Sequence, residues 1–355
     1  MGLFLLKNKE ILVKKLKIDI LCTDGSPIGV CPNCLWGDNF RIGVGGAEYA
    51  LLTMCELWAR RGYTVRLYNS PHSAASSLFA QFPVSSFDPL EKRDVVIIFR
   101  TPNPVGVVAN GLKVWWSCDQ YTSVSFNDFS NFVDQIVCIS PYHQEYFCLN
   151  YGIKNAVVID LAVRLSDLLP SNPIPGRLIF TSVPDRGLQN LLRIYPQIKE
   201  QFPEVSLVIT SDYRLWGATA FNERHRASWA GIKDVQYLGA VGRQRYLEEL
   251  AKADIFLYPC IYDELFCISA AEAQCAGVYP VTTDIGALKT TVMGDVLATD
   301  ASVSFNDGIF VERTAKLLSD RTLLERRRAE VVRRTRERFS PETILKQWDK
   351  VFNGT

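Results

Sequence analysis

Two glutamates in the second half of the chain have the spacing of a ligand site. Glu264 lies in a short linker after an apolar strand, and Glu272 lies eight residues later, inside the helix that follows. A helix start attracts phosphate through its free N–H groups and its dipole. We expect a phosphate to contact the first amides of this helix, which belong to Phe266, Cys267, Ile268 and Ser269. Both carboxylates could accept hydrogen bonds from sugar hydroxyls, so the segment predicts a nucleotide-sugar site. The alternative for Glu272 is a solvent-facing residue on a buried helix.

A glycine-rich segment at residues 43–48 is the second candidate. It places Gly45 and Gly46 before a helix predicted at 47–61. Because glycine lacks a Cβ, its backbone amide can approach a ligand closely. A dinucleotide-binding fingerprint is excluded, since a long loop separates the segment from the first strand, its sixth position is Glu48, and no acidic residue ends the second strand. A plain loop with a helix cap stays open.

Two further polar residues follow predicted strands. Asp119 comes after the strand at 113–116, and Arg186 joins the strand at 177–181 to a helix at 188–201. Ligands of open parallel sheets gather outside the carboxyl ends of the strands. Both side chains are therefore candidates, with a structural cap as the alternative for each.

The elements that must position these residues alternate between β-branched runs and helical periodicity. In the first half we predict strands at 18–23, 64–68, 94–99, 113–116 and 135–139. The last three are nearly unbroken apolar runs, which are typical of parallel strands covered on both faces. After a linker with three prolines at 168–176, the pattern resumes with strands at 177–181, 205–210, 235–238 and 255–258 and helices at 188–201 and 243–253.

This alternation predicts an α/β fold in two domains. A chain of 355 residues is too long for one ordinary core. Two Rossmann-like domains with doubly wound parallel sheets, at 1–168 and 177–338, would face each other across a cleft. The last segment, 339–355, begins with a Ser-Pro helix start and carries one apolar stripe.

The segment around the two glutamates resembles the Glu-x7-Glu motif of retaining glycosyltransferases of the GT-B fold, family 4 (glycosyl transferases group 1). The helix end at Gly277, the strand and Gly-rich loop at 278–288, and Gly-Gly-Ala-Glu at 45–48 are similar to the same family. The resemblance implies an acceptor side in 1–168, a donor side in 177–338 and a helix at 339–355 that crosses back. It also implies transfer of a sugar from a nucleotide diphosphate sugar to an acceptor hydroxyl, with retention and without a metal.

The resemblance also implies a role for each catalytic candidate. Arg186 and the helix-start amides would stabilise the departing diphosphate, because Arg binds phosphates in bidentate fashion and keeps its charge. Glu264 would orient the sugar, and Glu272 would hold the nucleotide ribose. Asp119 would accept a hydrogen bond from the transferred sugar or the acceptor.

The chain departs from the family pattern at two points. Cys118 stands where many members have His, which puts any role of an imidazole there in doubt. Thr181 or Ser182 stands where the family usually has an Arg that grips the diphosphate. One positive charge is therefore missing or comes from elsewhere, with Arg243 and Lys289 as weaker candidates.

Composition excludes several functional classes. A net charge of +1 gives no reason to expect a nucleic-acid partner. Residues 1–9 are apolar too briefly for a secretory signal or a membrane span, so we expect a cytoplasmic protein. The basic helix around 326–336 could contact anionic lipid, but its interspersed glutamates favour a solvated face.

The ten cysteines are scattered, which is typical of core residues in a reducing compartment. Cys31 and Cys34 form a single C-x2-C pair, half of a zinc knuckle or of a redox pair. No second pair or nearby His completes it, so the site prediction contains no metal ligand.

Three functions remain open. The favoured one is the retaining transferase, with UDP or GDP as the most plausible donor nucleotide, no separate cofactor, and a glycan, lipid or protein as acceptor. A GT-B phosphorylase or epimerase is a second, and a catalytically silent nucleotide- or sugar-binding subunit is a third. The loops expected to recognise the acceptor, at 31–41, 70–87 and 121–132, carry no motif that identifies it.

Overall fold

The chain folds around two separate parallel β-sheets. The computed structural model describes residues 15–23, 25, 27–36, 43–72, 78–121, 124–216, 222–299 and 305–354. Within them, the first sheet has seven strands in the order β3-β2-β1-β4-β5-β6-β7 and the second has six in the order β10-β9-β8-β11-β12-β13. The predicted α/β class with two doubly wound sheets is confirmed.

The first sheet is built from strands that are largely buried on both faces. Its strands are β1 (Lys17–Leu21), β2 (Thr64–Tyr68), β3 (Ala80–Phe82), β4 (Val95–Phe99), β5 (Leu112–Trp116), β6 (Gln135–Cys138) and β7 (Ala156–Val158). The helices of this half are α1 (Asn33–Trp36), α2 (Gly46–Arg60), α3 (Pro104–Val107), α4 (Phe126–Ser130) and α5 (Pro141–Tyr151). The strand order reverses between β1 and β4, so the ends of these two strands border a crevice.

The second sheet repeats this construction. Its strands are β8 (Arg177–Phe180), β9 (Ser206–Ile209), β10 (Val235–Tyr237), β11 (Ile255–Tyr258), β12 (Tyr279–Thr283) and β13 (Asp295–Leu297). The helices are α6 (Leu188–Gln201), α7 (Asn222–Trp229), α8 (Arg243–Lys252), α9 (Ile268–Ala276), α10 (Leu288–Thr291), α11 (Asp307–Ser319), α12 (Arg321–Arg338) and α13 (Pro341–Asn353). Here the order reverses between β8 and β11, which are hydrogen-bonded neighbours.

The sequence located the long elements well and missed several short ones. The strand at 64–68 and the helix at 188–201 have the predicted bounds, and the first strand ends two residues earlier than expected. Strands β3, β7 and β13, of three residues each, were not predicted because so few residues show little periodicity, whereas the equally short β10 was predicted at 235–238. The division at 168 and 177 stays a prediction.

Helix α13 packs against the first half of the chain. Trp348 lies 5.1 Å from Trp58 of α2 and 5.3 Å from Trp116 of β5, measured between ring centroids, and all three rings are buried. At the helix surface, the carboxylate of Asp349 accepts hydrogen bonds from Tyr63 at 2.6 Å and from Arg61 at 2.9 Å. The apolar stripe of the sequence therefore faces the first core.

Several arginines of the basic helix α12 donate hydrogen bonds to other parts of the fold. Arg328 donates to the buried carboxylate of Asp254 at 3.0 Å and to the carbonyl of Gly277 at 2.6 Å, close to the end of α9. Arg338 donates to Asp160, which follows β7, at 2.6 and 3.0 Å. The helix thus uses part of its charge to fix α9 and to join the two halves of the chain.

None of the described helices is long and apolar enough to cross a lipid bilayer. Residues 1–9, for which the sequence predicts neither a signal nor a span, lie outside the described residues. So do parts of the three predicted acceptor loops.

Replacing Trp348 by Ala should remove the centre of the contact between α13 and the first half. We expect the free energy of unfolding to fall by about 3–5 kcal/mol, because a large buried aromatic side chain leaves a cavity. Urea denaturation measures this loss. Lys346→Ala on the exposed face of the same helix is the control, and an equal loss in both variants would show that α13 does not depend on the aromatic contact.

Candidate active site

A cavity of about 360 Å³ lies between the carboxyl ends of the two sheets. This volume is in the range of small-molecule sites. All ten residues of the sequence-based site prediction line it, namely Gly45, Gly46, Asp119, Arg186, Glu264, Phe266, Cys267, Ile268, Ser269 and Glu272. Their functional roles stay predictions, but the fold brings them together.

Glu264 lies on the cavity wall formed by the segment between β11 and α9. Its Oε1 accepts a hydrogen bond from the hydroxyl of Tyr258 at 2.7 Å and lies 3.8 Å from Nε of Arg186. Burial raises the pKa of Glu264, and Arg186 and Tyr258 oppose this shift. The carboxylate is thus oriented by one hydrogen bond, lies beside a cation and stays accessible from the cavity.

Arg186 is held rigidly at the end of a short 3-10 turn, Pro184–Arg186. The next residue, Gly187, has φ +108°, and a Cβ there would clash with the carbonyl of Pro259. The guanidinium stacks on the ring of Tyr262, 3.1 Å from its centroid. Burial alone would lower the pKa of Arg186, but Glu264 and Asp185 outweigh it and raise the pKa. The side chain is a fixed, permanent cation on the cavity wall.

Glu272 lies inside α9 and is paired with an arginine that the sequence offered only as a weaker candidate. Its Oε1 lies 2.5 Å from Nη2 of Arg243, and both side chains are buried. The Arg243 guanidinium also lies 4.9 Å from the ring centroid of Tyr49 on α2. Burial alone would lower the pKa of Arg243, but Glu272 and Tyr49 outweigh it and raise the pKa. The only sequence signal was a basic residue opening a helix after a Gly-containing loop.

The start of α9 differs in detail from the prediction. The helix begins at Ile268, and Cys267 is its N-cap in the left-handed conformation, with φ +67°. The amides of Phe266 and Cys267 therefore precede the helix, while Ile268 and Ser269 are its first residues. The helix start, whose residues Ile268 and Ser269 line the cavity, therefore lies two residues later than expected.

Asp119 lies on the opposite wall, after β5. Its carboxylate accepts two hydrogen bonds from Arg100, at 2.7 and 2.9 Å, and Arg100 takes the left-handed conformation with φ +64°. The sequence gave no signal of this pair. Burial raises the pKa of the neighbouring Cys118 thiol well above its usual range, so Cys118 is neutral where many family members have His.

The glycine segment lies where the two halves of the chain approach each other. Gly45 is the N-cap of α2, and Gly46 begins the helix. A Cβ on Gly46 would lie 3.1 Å from Cγ2 of Ile268, the first residue of α9. The absence of a side chain therefore allows close contact between the helix starts on the two sides of the cavity.

Cys31 and Cys34 are buried, with their sulfur atoms 3.8 Å apart. Burial raises the pKa of Cys34 to about 11, which keeps it a thiol at neutral pH. Among the residues that the structure describes, no group of three or more His, Cys, Asp or Glu side chains could hold a metal ion. The pair shows no third ligand in that part of the chain.

Comparison with known proteins bears on the second half of the chain. Residues 180–338 match the family model described as Glycosyl transferases group 1. This segment of the chain is similar to that family. The fold of the chain is that of GT-B glycosyltransferases: the structure of Anabaena Alr3699/HepE in complex with UDP and glucose superimposes with a TM-score of 0.70 at 15% identity, over 96% of this chain and 100% of that one.

The curated relatives of this chain are longer than the matched region. The chain is 28% identical over 178 residues to a phosphatidylinositol N-acetylglucosaminyltransferase subunit of Arabidopsis thaliana, covering 46% of this chain and 38% of the relative. With the GPI3 subunit of the corresponding Saccharomyces cerevisiae enzyme, it shares 23% over 217 residues, covering 56% and 46%. The matches therefore span less than half the length of these relatives.

His143, buried at the start of α5 behind Asp119, should make the fold sensitive to acid. Its Nδ1 accepts a hydrogen bond from the amide of Ile139 at 3.3 Å, and burial lowers its pKa to about 3. The unfolded chain takes up this proton near pH 6.5, whereas the folded chain does not, so stability is lost as the pH falls below that value.

We expect this single group to remove about 2 kcal/mol of stability between pH 7 and pH 5. Urea denaturation measures the free energy of unfolding at the two pH values. Between pH 7 and pH 5 it should fall by about 2 kcal/mol less in His143→Asn than in the unaltered chain. The exposed His72→Asn is the control. The assignment would be contradicted if the free energy of unfolding fell by the same amount in the unaltered chain and in His143→Asn.

Proposed function

We propose that this chain is a retaining glycosyltransferase that moves a sugar from a nucleotide diphosphate sugar to an acceptor hydroxyl without a metal ion. The observation that carries the proposal is the charge arrangement of the cavity. Two arginines, Arg186 and Arg243, each lie beside a glutamate, and both pairs line the same cavity as the N-terminus of α9.

The arginines suit the departing diphosphate. Glycosyl transfer has an oxocarbenium-like transition state, in which negative charge builds on the leaving group. Cations and amides that are already in place lower the barrier because they need no reorganisation during the reaction. Arg186 meets this condition, since Tyr262 covers its face and the Gly187 turn fixes its backbone. These groups supply the positive charge that a divalent cation supplies in other transferases, which supports metal independence.

The two glutamates suit the neutral parts of the donor. Glu264, with its Oε1 held by Tyr258, would accept hydroxyls of the transferred sugar. Glu272 lies further along α9, on the side of Arg243, and would accept hydroxyls of the ribose. From this order along the helix, we propose that the diphosphate binds between the two carboxylates, at the amides of Ile268 and Ser269.

The pairing of Asp119 supports retention. An inverting transferase needs a general base on the acceptor side, and such a base must be able to take up a proton. Arg100 already donates a hydrogen bond to each carboxylate oxygen of Asp119, which argues against that role. We propose that Asp119 accepts a sugar hydroxyl instead, and that the acceptor's proton passes to the departing phosphate oxygen on the same face.

The relatives suggest which substrates to test. The HepE structure contains UDP and glucose, and the plant and yeast relatives are named as parts of a phosphatidylinositol N-acetylglucosaminyltransferase. These names support UDP over GDP as the first nucleotide to test, and an inositol lipid among the acceptors. The ten free cysteines support a reducing, cytoplasmic compartment.

Donor cleavage tests the proposal without knowledge of the acceptor. The unaltered chain is incubated with UDP-glucose, UDP-N-acetylglucosamine and GDP-mannose, with and without EDTA, and the release of nucleoside diphosphate is measured. We expect cleavage of one donor at the same rate in EDTA. Arg186→Gln should lower kcat by about 100-fold, since it removes charge from the leaving group.

The matched control is Arg193→Gln on α6, whose half-exposed side chain pairs with Asp307 outside the cavity. Its rate should stay within about twofold of the unaltered chain, as for surface substitutions in general. Binding of a donor without any cleavage would instead indicate a silent subunit. An epimerised donor, or a sugar phosphate formed in phosphate buffer, would indicate the epimerase or phosphorylase alternatives.

A further inference from the structure

Arg243 is a buried cation whose hydrogen-bonding capacity is only partly used. The residue is 7% exposed, and its Nε has no hydrogen-bond acceptor among the described residues. A guanidinium has five N–H donors and does not lose its proton in proteins. Its Nη2 lies 2.5 Å from Oε1 of Glu272 and 4.0 Å from Oδ2 of Asp167. Burying a cation with an unused N–H donor costs free energy unless an anion accepts a hydrogen bond from that donor.

The surroundings of Arg243 fix its position at the cavity. It is the first residue of α8, whose N-cap is Gly242, so the free amides of this helix start lie in the same place. Tyr49 and Tyr246 lie beside the guanidinium, with ring centroids 4.9 and 5.6 Å from its central carbon. Arg243 lines the cavity together with Arg186.

We infer that Arg243 is a second anion-binding residue of the site and that its ligand is the diphosphate of the nucleotide sugar. This inference rests on the proposed function. The diphosphate is the anionic part of such a donor, and a guanidinium binds phosphate oxygens in bidentate fashion. Arg243 thereby offers the diphosphate a guanidinium donor, which neither Thr181 nor Ser182 provides.

The pairing with Glu272 serves the same end. An unpaired carboxylate at this position would repel the diphosphate and would be costly to bury. Arg243 neutralises Glu272, so the carboxylate can accept ribose hydroxyls next to a phosphate. Arg243 therefore contacts the diphosphate and also allows the carboxylate of Glu272 to lie close to it.

The test compares binding of a nucleoside with binding of its diphosphate. Dissociation constants for uridine and UDP, and for guanosine and GDP, are measured by calorimetry. In the unaltered chain, the diphosphate should bind more tightly than the nucleoside. Arg243→Gln should reduce this preference by about tenfold or more, since hydrogen bonds between charged groups are the strong ones. Arg243→Lys should reduce it less.

Two further variants make the outcome decisive. Arg245→Gln, on the same helix but paired with Glu249 outside the cavity, should leave the preference unchanged. Should Arg243→Gln fail to fold because Glu272 is left unpaired, the double variant Arg243→Gln with Glu272→Gln removes both charges and should show the same tenfold fall.

An unchanged preference for the diphosphate in the Arg243 variants would overturn the inference, because Arg243 would then act only on Glu272. That result would leave the proposed function standing. Failure of the unaltered chain to bind uridine, UDP, guanosine and GDP would instead overturn the proposed donor, and this inference with it.

Discussion

Two carboxylates line a single cavity in this protein, the buried Glu272 and the half-buried Glu264, and each lies beside an arginine. Removing a carboxylate from water costs several kcal/mol unless a cation and hydrogen bonds compensate. Glu264 has Arg186 and the hydroxyl of Tyr258, and Glu272 has Arg243. Without these partners, the carboxylates would repel a diphosphate. The proposed chemistry depends on this pairing of each carboxylate with an arginine.

The strand order of the second sheet brings each carboxylate next to its arginine. Arg186 and Glu264 are far apart in sequence, but they follow β8 and β11, which are adjacent strands at the point where the strand order reverses. Glu272 lies on the helix after β11, and Arg243 opens the helix before it. The first half contributes the ring of Tyr49 beside Arg243 and the close contact between Gly46 and Ile268, so both halves shape the cavity.

Sequence patterns revealed the elements and the candidate residues, but not the pairs that these residues form. Apolar runs predicted the buried strands, and the spacing of Glu264 and Glu272 located the cavity. The partners Arg243 and Arg100 were not predictable, because each meets its carboxylate through the fold and not through a local spacing. The left-handed Cys267 shifted the start of α9, since a non-glycine residue in this conformation has no signature in sequence.

A crystal structure of the chain with bound UDP would test the central claim most directly. The account predicts the two phosphates at the start of α9, with oxygens within hydrogen-bond distance of the guanidinium groups of Arg186 and Arg243 and of the amides of Ile268 or Ser269. The ribose should lie against Glu272. A nucleotide bound outside this cavity, or with its phosphates away from both arginines, would contradict it.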